Sequence, residues 1–312
     1  MRKKVLFIGM LVTLLFAFSG CGTKNEGVVT LIMSDVQEGD HPTAQACDKF
    51  AELVKKRTNG KVVIEVYHGS TLGTEAEQIA QATVGGIDFV RVSSPVAAYY
   101  DDIKAFQALY LYSSEDDMWK VLDGEIGNEF LKAQQLKDNG LEGLCWVSGG
   151  SRNFYNNVRP ITSPEDLAGL TLRVNTDSMF AFLESCGAKG INVSYNDIYN
   201  SIEAGTIDGA ENNWPSYIST GHYKVAPYIT VDEHTRIPEM IVASTESMNK
   251  LTSEQQQIVR ECAQEAGQLQ RKWMQEYDEK AKVASRITTK VEVVDGKNVK
   301  TRVFKKSGNE VK

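Results

Sequence analysis

The chain has 312 residues, of which 24% are charged and 42% hydrophobic, and its formal net charge is -7. It shows no cluster of Lys and Arg on any readable face, which argues against a nucleic-acid partner, because that needs a basic footprint. An acidic protein that captures an anion must gather positive charge locally, so single arginines in strands and turns are the residues to follow.

Arg2, Lys3 and Lys4 precede an uncharged apolar run over residues 5–18, and Ser19 and Gly20 then lead to Cys21. This is the layout of a secretory signal peptide over residues 1–20. The apolar run falls short of the roughly 20 residues a spanning helix takes. Phe18-Ser19-Gly20-Cys21 resembles a bacterial lipobox, so Cys21 is expected to carry acyl chains that hold the protein at a membrane. The remaining chain, about 290 residues, exceeds what one hydrophobic core usually serves, and two lobes are expected. Cys47, Cys145, Cys186 and Cys262 have no CxxC spacing and no neighbouring histidine pair. No metal is expected, and the apolar pattern around each suits a free buried thiol.

Residues 22–27 read as a short polar tether. Folding begins with a strand at 28–33, a helix at 42–56 with Ala46, Phe50, Leu53 and Val54 inward, a strand at 61–67, a helix around 75–84 and a strand at 87–92. This alternation predicts an α/β sheet with crossover connections, whose ligands sit at the carboxyl ends of the strands. His41, residues 69–75 and residues 93–95 lie at such ends.

The second half repeats the alternation. A strand at 144–148 is followed by a short helix at 164–168, with Ser163 as N-cap and Pro164 in the first position, and a strand at 171–174. Helices follow at about 178–186 and 196–204, then a strand at 207–210. Gly85-Gly86-Ile87-Asp88 is echoed by Gly205-Thr206-Ile207-Asp208, as two lobes built on one plan would require. Residues 252–284 form a long helix, opened by a Thr252/Gln255 capping box, with Ile258, Cys262, Ala266, Leu269 and Trp273 along one face. At about 1.5 Å per residue it is roughly 50 Å long, enough to cross both lobes. A basic, strand-like stretch at 289–294 follows.

Arg173 lies between Leu172 and Val174 in a strand, where a guanidinium is hard to bury without a partner. Its forked donors match a carboxylate, supplied either by a ligand or by one of the chain's own acids. Residues 207–215 gather Asp208, Glu211, Asn212, Asn213 and Trp214 at a strand end; amides and a carboxylate suit hydroxyl recognition, and an indole suits a sugar face. The alternative for Trp214 is ordinary core packing.

Residues 69–75 (Gly-Ser-Thr-Leu-Gly-Thr-Glu), Arg152, residues 163–174 (Ser-Pro-Glu-Asp-Leu-Ala-Gly-Leu-Thr-Leu-Arg-Val) and residues 207–212 (Ile-Asp-Gly-Ala-Glu-Asn) occur in this order. Together they make the chain resemble the DctP-type substrate-binding proteins of tripartite ATP-independent periplasmic (TRAP) transporters. The resemblance implies a two-lobed α/β fold of the periplasmic-binding-protein kind, with the long C-terminal helix spanning both lobes. It implies lobe I over 27–148 and 239–278 and lobe II over 149–238 and 279–312. A monomer without cofactor would close on an organic acid and deliver it to a membrane permease. Arg173 matches the residue that clamps the ligand carboxylate, Arg152 a second arginine at that end, Asn212 an amide on the carboxylate and Glu75 a polar residue on the opposite wall. His41, Asn213 and Trp214 are added from their positions. Residues 211–217 and 232–235 look like members that bind hexuronates such as glucuronate or galacturonate. Ala108-Leu109-Tyr110 departs from the family's usual proline-containing loop, and the tail lacks its usual apolar closing helix.

The rival from another class is a lipid-anchored glycan hydrolase using Glu75 and Glu211, whose carboxyls would have to stand about 5 to 9.5 Å apart. A sensor subunit presenting bound ligand to a receptor is a third reading.

Overall fold

The computed structural model describes residues 27–284 and, as backbone, the strands at 287–294 and 297–304. Cys21 and the expected signal segment lie outside the described residues.

The first half alternates as its apolar pattern dictates: β1 (Val29–Ser34), α1 (Pro42–Arg57), β2 (Val62–Tyr67), α2 (Glu75–Ala82) and β3 (Phe89–Val92). β1 pairs in parallel with β2 on one side and β3 on the other. Three short helices, α3 (Glu115–Leu122), α4 (Glu125–Leu131) and α5 (Gln134–Asp138), then lead to a long strand, β4 (Leu141–Asn156). The second half runs β5 (Thr171–Arg173), α6 (Asp177–Ser185), β6 (Lys189–Ile191), α7 (Ile198–Glu203) and β7 (Gly209–Asn212), with β5 parallel to both β6 and β7. α8 (Trp214–Ser219), β8 (Tyr228–Ser244), α9 (Thr245–Met248) and α10 (Ser253–Ala284) complete the described fold, with β9 (Ile287–Val294) and β10 (Lys297–Phe304) as a hairpin against β8.

The strand order is β2-β1-β3-β8-β4-β7-β5-β6. Two parallel triplets therefore flank a central antiparallel pair of long strands, and the halves share one connectivity. The repeated tetrapeptides sit at equivalent places. Asp88 accepts the Ile32 N–H on Oδ2 at 2.6 Å, and Asp208 accepts the Thr171 N–H at 2.7 Å, so each carboxylate anchors the central strand of its own triplet. Gly85 and Gly205 both stand at φ 72°, the left-handed turn that glycine adopts without a Cβ penalty.

β4 and β8 pair with each other in both halves, but their register slips between Ser148 and Ser151 and between Arg152 and Phe154. Gly149 and Gly150 lie in the first slip. A Cβ on Gly149 would stand 2.4 Å from the Ile237 carbonyl oxygen, and Gly150 has φ 66°. Bulges of this kind bend and twist a strand, and here they separate the two triplets.

Each half has its own core. Leu31, Met33, Phe50, Phe89, Ile241 and Cys262 pack in the first, with Phe50 edge-on to Phe89 at 5.3 Å. Tyr155, Ile198, Ile207, Trp214 and Tyr217 pack in the second. α10 runs across both: its Val259, Cys262 and Ala266 join the first core and its Ala281 the second. The Thr252/Gln255 capping box forms with bonds of 3.0 and 3.2 Å. Cys47, Cys145, Cys186 and Cys262 are free.

Several elements differ from expectation. The strand at 144–148 extends to residue 156, and β8 has no counterpart in the sequence reading because its first half is polar and contains Glu233 at φ 48°. The turn at 164–167 is a 3-10 helix, which keeps the predicted Ser163 cap. The last strand of the second triplet is shifted two residues, which places Asn212 within it.

Candidate functional site

A cavity of about 740 Å³ lies between the two triplets. One wall comes from the turn before α2, the start of α2 and residues 94–99; the other comes from Arg173, Asn175 and residues 192–197. Volumes of this size hold small organic ligands.

Arg173 ends β5, in register with Ala210 of β7. Its Nε donates to the Val193 carbonyl at 3.0 Å, and among the described residues it forms no salt bridge, although it is only 7% exposed. Burial lowers its pKa from the ordinary arginine value, partly countered by Glu211. A buried guanidinium with no salt bridge among the described residues has donors to offer an anion.

Arg152 lies nearby but is already neutralised. Its Nε and Nη2 grip both carboxylate oxygens of Glu211, Nη2 also reaches the Glu211 carbonyl at 2.8 Å, and Nη1 donates to Asn212 Oδ1 at 3.0 Å. His234 closes the network, with Nε2 3.3 Å from Glu211 and Nδ1 2.9 Å from Asp232. Burial alone would raise the Glu211 carboxyl; Arg152 and His234 outweigh it and hold the pKa at about 2. A carboxylate this firmly ionised is a poor general acid, and as a nucleophile or base Glu211 is badly placed, since Arg152 and His234 engage its oxygens and it is not among the residues that line the cavity. The Asn212 oxygen is used by Arg152 and by the Asn213 N–H, so only its Nδ2 is left to donate.

Glu75 opens α2 from the other half. Its Oε1 accepts the Ser93 N–H and stands 3.6 Å from Arg91 Nη1. Arg91 also bonds Asp35 Oδ1 from Nε at 2.8 Å and lies 3.4 Å from Glu239. One buried guanidinium therefore serves three carboxylates. Burial pushes the Glu239 carboxyl up to about 7, with Glu75 and Asp35 adding to the rise against Arg91.

The three positional additions lie off the cavity wall. His41 is the N-cap of α1; its Nδ1 accepts the Thr43 N–H at 3.2 Å, and burial, then Arg91, lowers its pKa to about 3. Asn213 caps α8 through Ser216 at 2.7 Å and donates to the Gly149 carbonyl at 2.7 Å, tying α8 to the bulge in β4. Trp214 is fully buried edge-on to Tyr217 at 6.0 Å. The expectation of a sugar platform is corrected by core packing.

The sequence reading missed Arg91, Asp35, Glu239 and Tyr195. Arg91 stands between Val90 and Val92 as Arg173 stands between Leu172 and Val174, and the same criterion would have found it.

Residues 33–311 match the DctP family, described as bacterial extracellular solute-binding protein, family 7. The chain belongs to that family. A solute-binding protein of Chromohalobacter salexigens is 34% identical over 76% of this chain and 70% of its own. The 2,3-diketo-L-gulonate-binding periplasmic protein of Escherichia coli is 30% identical over 75% and 72%. Among solved structures, a TRAP periplasmic solute-binding protein from C. salexigens with bound D-glucuronate superposes with a TM-score of 0.78 at 32% identity, covering 81% of this chain and 84% of that one. One from Sulfitobacter sp. NAS-14.1 with bound β-D-galacturonate gives 0.79 at 32%, covering 82% and 85%. This DctP-family protein therefore has the two-lobed architecture of TRAP solute-binding proteins, and its cavity lies between the lobes.

Proposed function

We propose that the protein captures a hexuronate, glucuronate or galacturonate, and delivers it to the permease of a TRAP transporter outside the cytoplasm. The observation that carries this reading is Arg173, a buried guanidinium that forms no salt bridge among the described residues, on the wall of a cavity of about 740 Å³. The sugar carboxylate would take its paired donors, Asn212 Nδ2 would assist, and Glu75 would accept from ring hydroxyls. Neighbours at about one-third identity that hold glucuronate or galacturonate support the choice of ligand. The lobe division over 27–148 with 239–278, and 149–238 with 279–312, is part of the same reading, supported by the bulges at 148–154. A lipid anchor on Cys21 is supported by the N-terminal pattern alone.

Calorimetric titration of the purified protein tests it: one hexuronate per chain is expected to bind with no turnover. Absence of binding at millimolar hexuronate overturns the ligand. For the anchor, Cys21→Ala should release the protein from the membrane fraction, and a variant that stays there would refute it.

A further inference from the structure

Four charged side chains line the cavity. Arg173 is the cation, and Glu75, Glu77 and Asp197 are acids. The neighbouring arginines bring no spare charge: Arg152 is held by Glu211, and Arg91 is shared among Asp35, Glu75 and Glu239. The start of α2, whose exposed N–H groups would otherwise favour an anion, already carries Glu75 and Glu77 and a capping box closed between Thr74 and Glu77. The cavity therefore has Arg173 on one wall, with the exposed Asp197 on the same side, and faces it with Glu75 and Glu77.

We propose that this acid wall makes the protein a monocarboxylate filter: it accepts a sugar acid with one carboxylate and hydroxyls at its far end, rejects the corresponding dicarboxylate, and uses Glu75 as the specificity-determining residue. The inference rests on the sugar-acid reading of the cleft. A hydroxyl at the far end donates to the Glu75 carboxylate, whereas a second carboxylate meets no lining cation there, only neutral donors such as the Ser70, Ser94 and Tyr99 hydroxyls, and is repelled by fixed negative charge. Juxtaposed like charges in a desolvated site are a strong source of discrimination. Glu75 cannot easily swing aside, because its carboxylate is tethered to the Ser93 N–H and lies against Arg91.

The test is calorimetric titration of the full chain with two matched pairs, galacturonate against galactarate and gluconate against glucarate. The wild type should prefer the monoacid of a pair by at least ~100-fold, and Glu75→Gln should narrow that ratio by about 10-fold. Asp197→Asn, at an exposed position, should narrow it less and guards against a folding defect in the first variant. Equal affinity for the two acids of a pair, or a ratio unmoved in both variants, overturns the filter. If hexuronates fail to bind but gluconate outcompetes glucarate, the hexuronate reading falls and the filter stands. If none of the four acids binds, both fall.

Discussion

Tyr195 and Gln37 join the two halves directly: the Tyr195 hydroxyl donates to Gln37 Oε1 at 2.8 Å. Asn196 Nδ2 makes a parallel link to the Gly69 carbonyl at 3.3 Å. Both tyrosine and asparagine line the cavity, so these bonds bridge the two halves at its edge.

Tyr195→Phe should weaken ligand binding by roughly 5-fold, the worth of one net hydrogen bond of about 1 kcal/mol. The loss should appear as faster dissociation, since closure governs escape. Stopped-flow rates equal to those of the wild type would show that closure does not use this bond. Small-angle scattering should show compaction on saturation if the lobes close in a hinge motion.

Arg173→Lys should lower hexuronate affinity by ~10- to 100-fold, because an ammonium cannot supply two parallel donors to a carboxylate. Thermal stability of the unliganded protein should hardly change, since among the described residues Arg173 holds only the Val193 carbonyl. A variant that binds normally by calorimetry removes the clamp.

Arg152 should behave oppositely. Arg152→Met leaves Glu211 buried at 1% exposure with only His234 to offset its charge among the described residues, which costs about 3 kcal/mol. Denaturant melts without ligand should show that loss in full, and a stable variant impaired only in binding would give Arg152 a ligand role instead.

Glu239 predicts a pH signature. Its folded pKa of about 7 lies above the ordinary 4.5, so between those values the folded state keeps a proton that the unfolded chain has released. Stability from this group therefore falls as pH rises from about 4.5 to about 7, and the cost is complete above that. Relative to the wild type, Glu239→Gln should gain on the order of 3 kcal/mol between pH 4 and pH 8. A stability difference that stays flat over this range contradicts the assignment.

Periodicity determined much on its own. The apolar spacing of α1 and α10, the capping residues Ser163 and Thr252, and the strands around Leu31, Ile64 and Leu172 were legible because each depends on neighbours within a few positions. The paired Gly-x-Ile-Asp segments were legible too, since identical local geometry selects similar residues. Only the tertiary structure decided how the charges are shared. Arg91 and Arg173 look alike in sequence, each between two apolar strand residues, while Arg152 follows a glycine pair and Ser151; all three are buried. Arg91 meets Asp35, Glu75 and Glu239, and Arg152 meets Glu211, all brought from distant segments, while Arg173 is left facing the cavity. Trp214 and His41 likewise went to core and cap because packing, which sequence spacing does not encode, decides what faces the cleft. Coulomb and desolvation terms depend on distance in space, and no pattern along the chain supplies that distance.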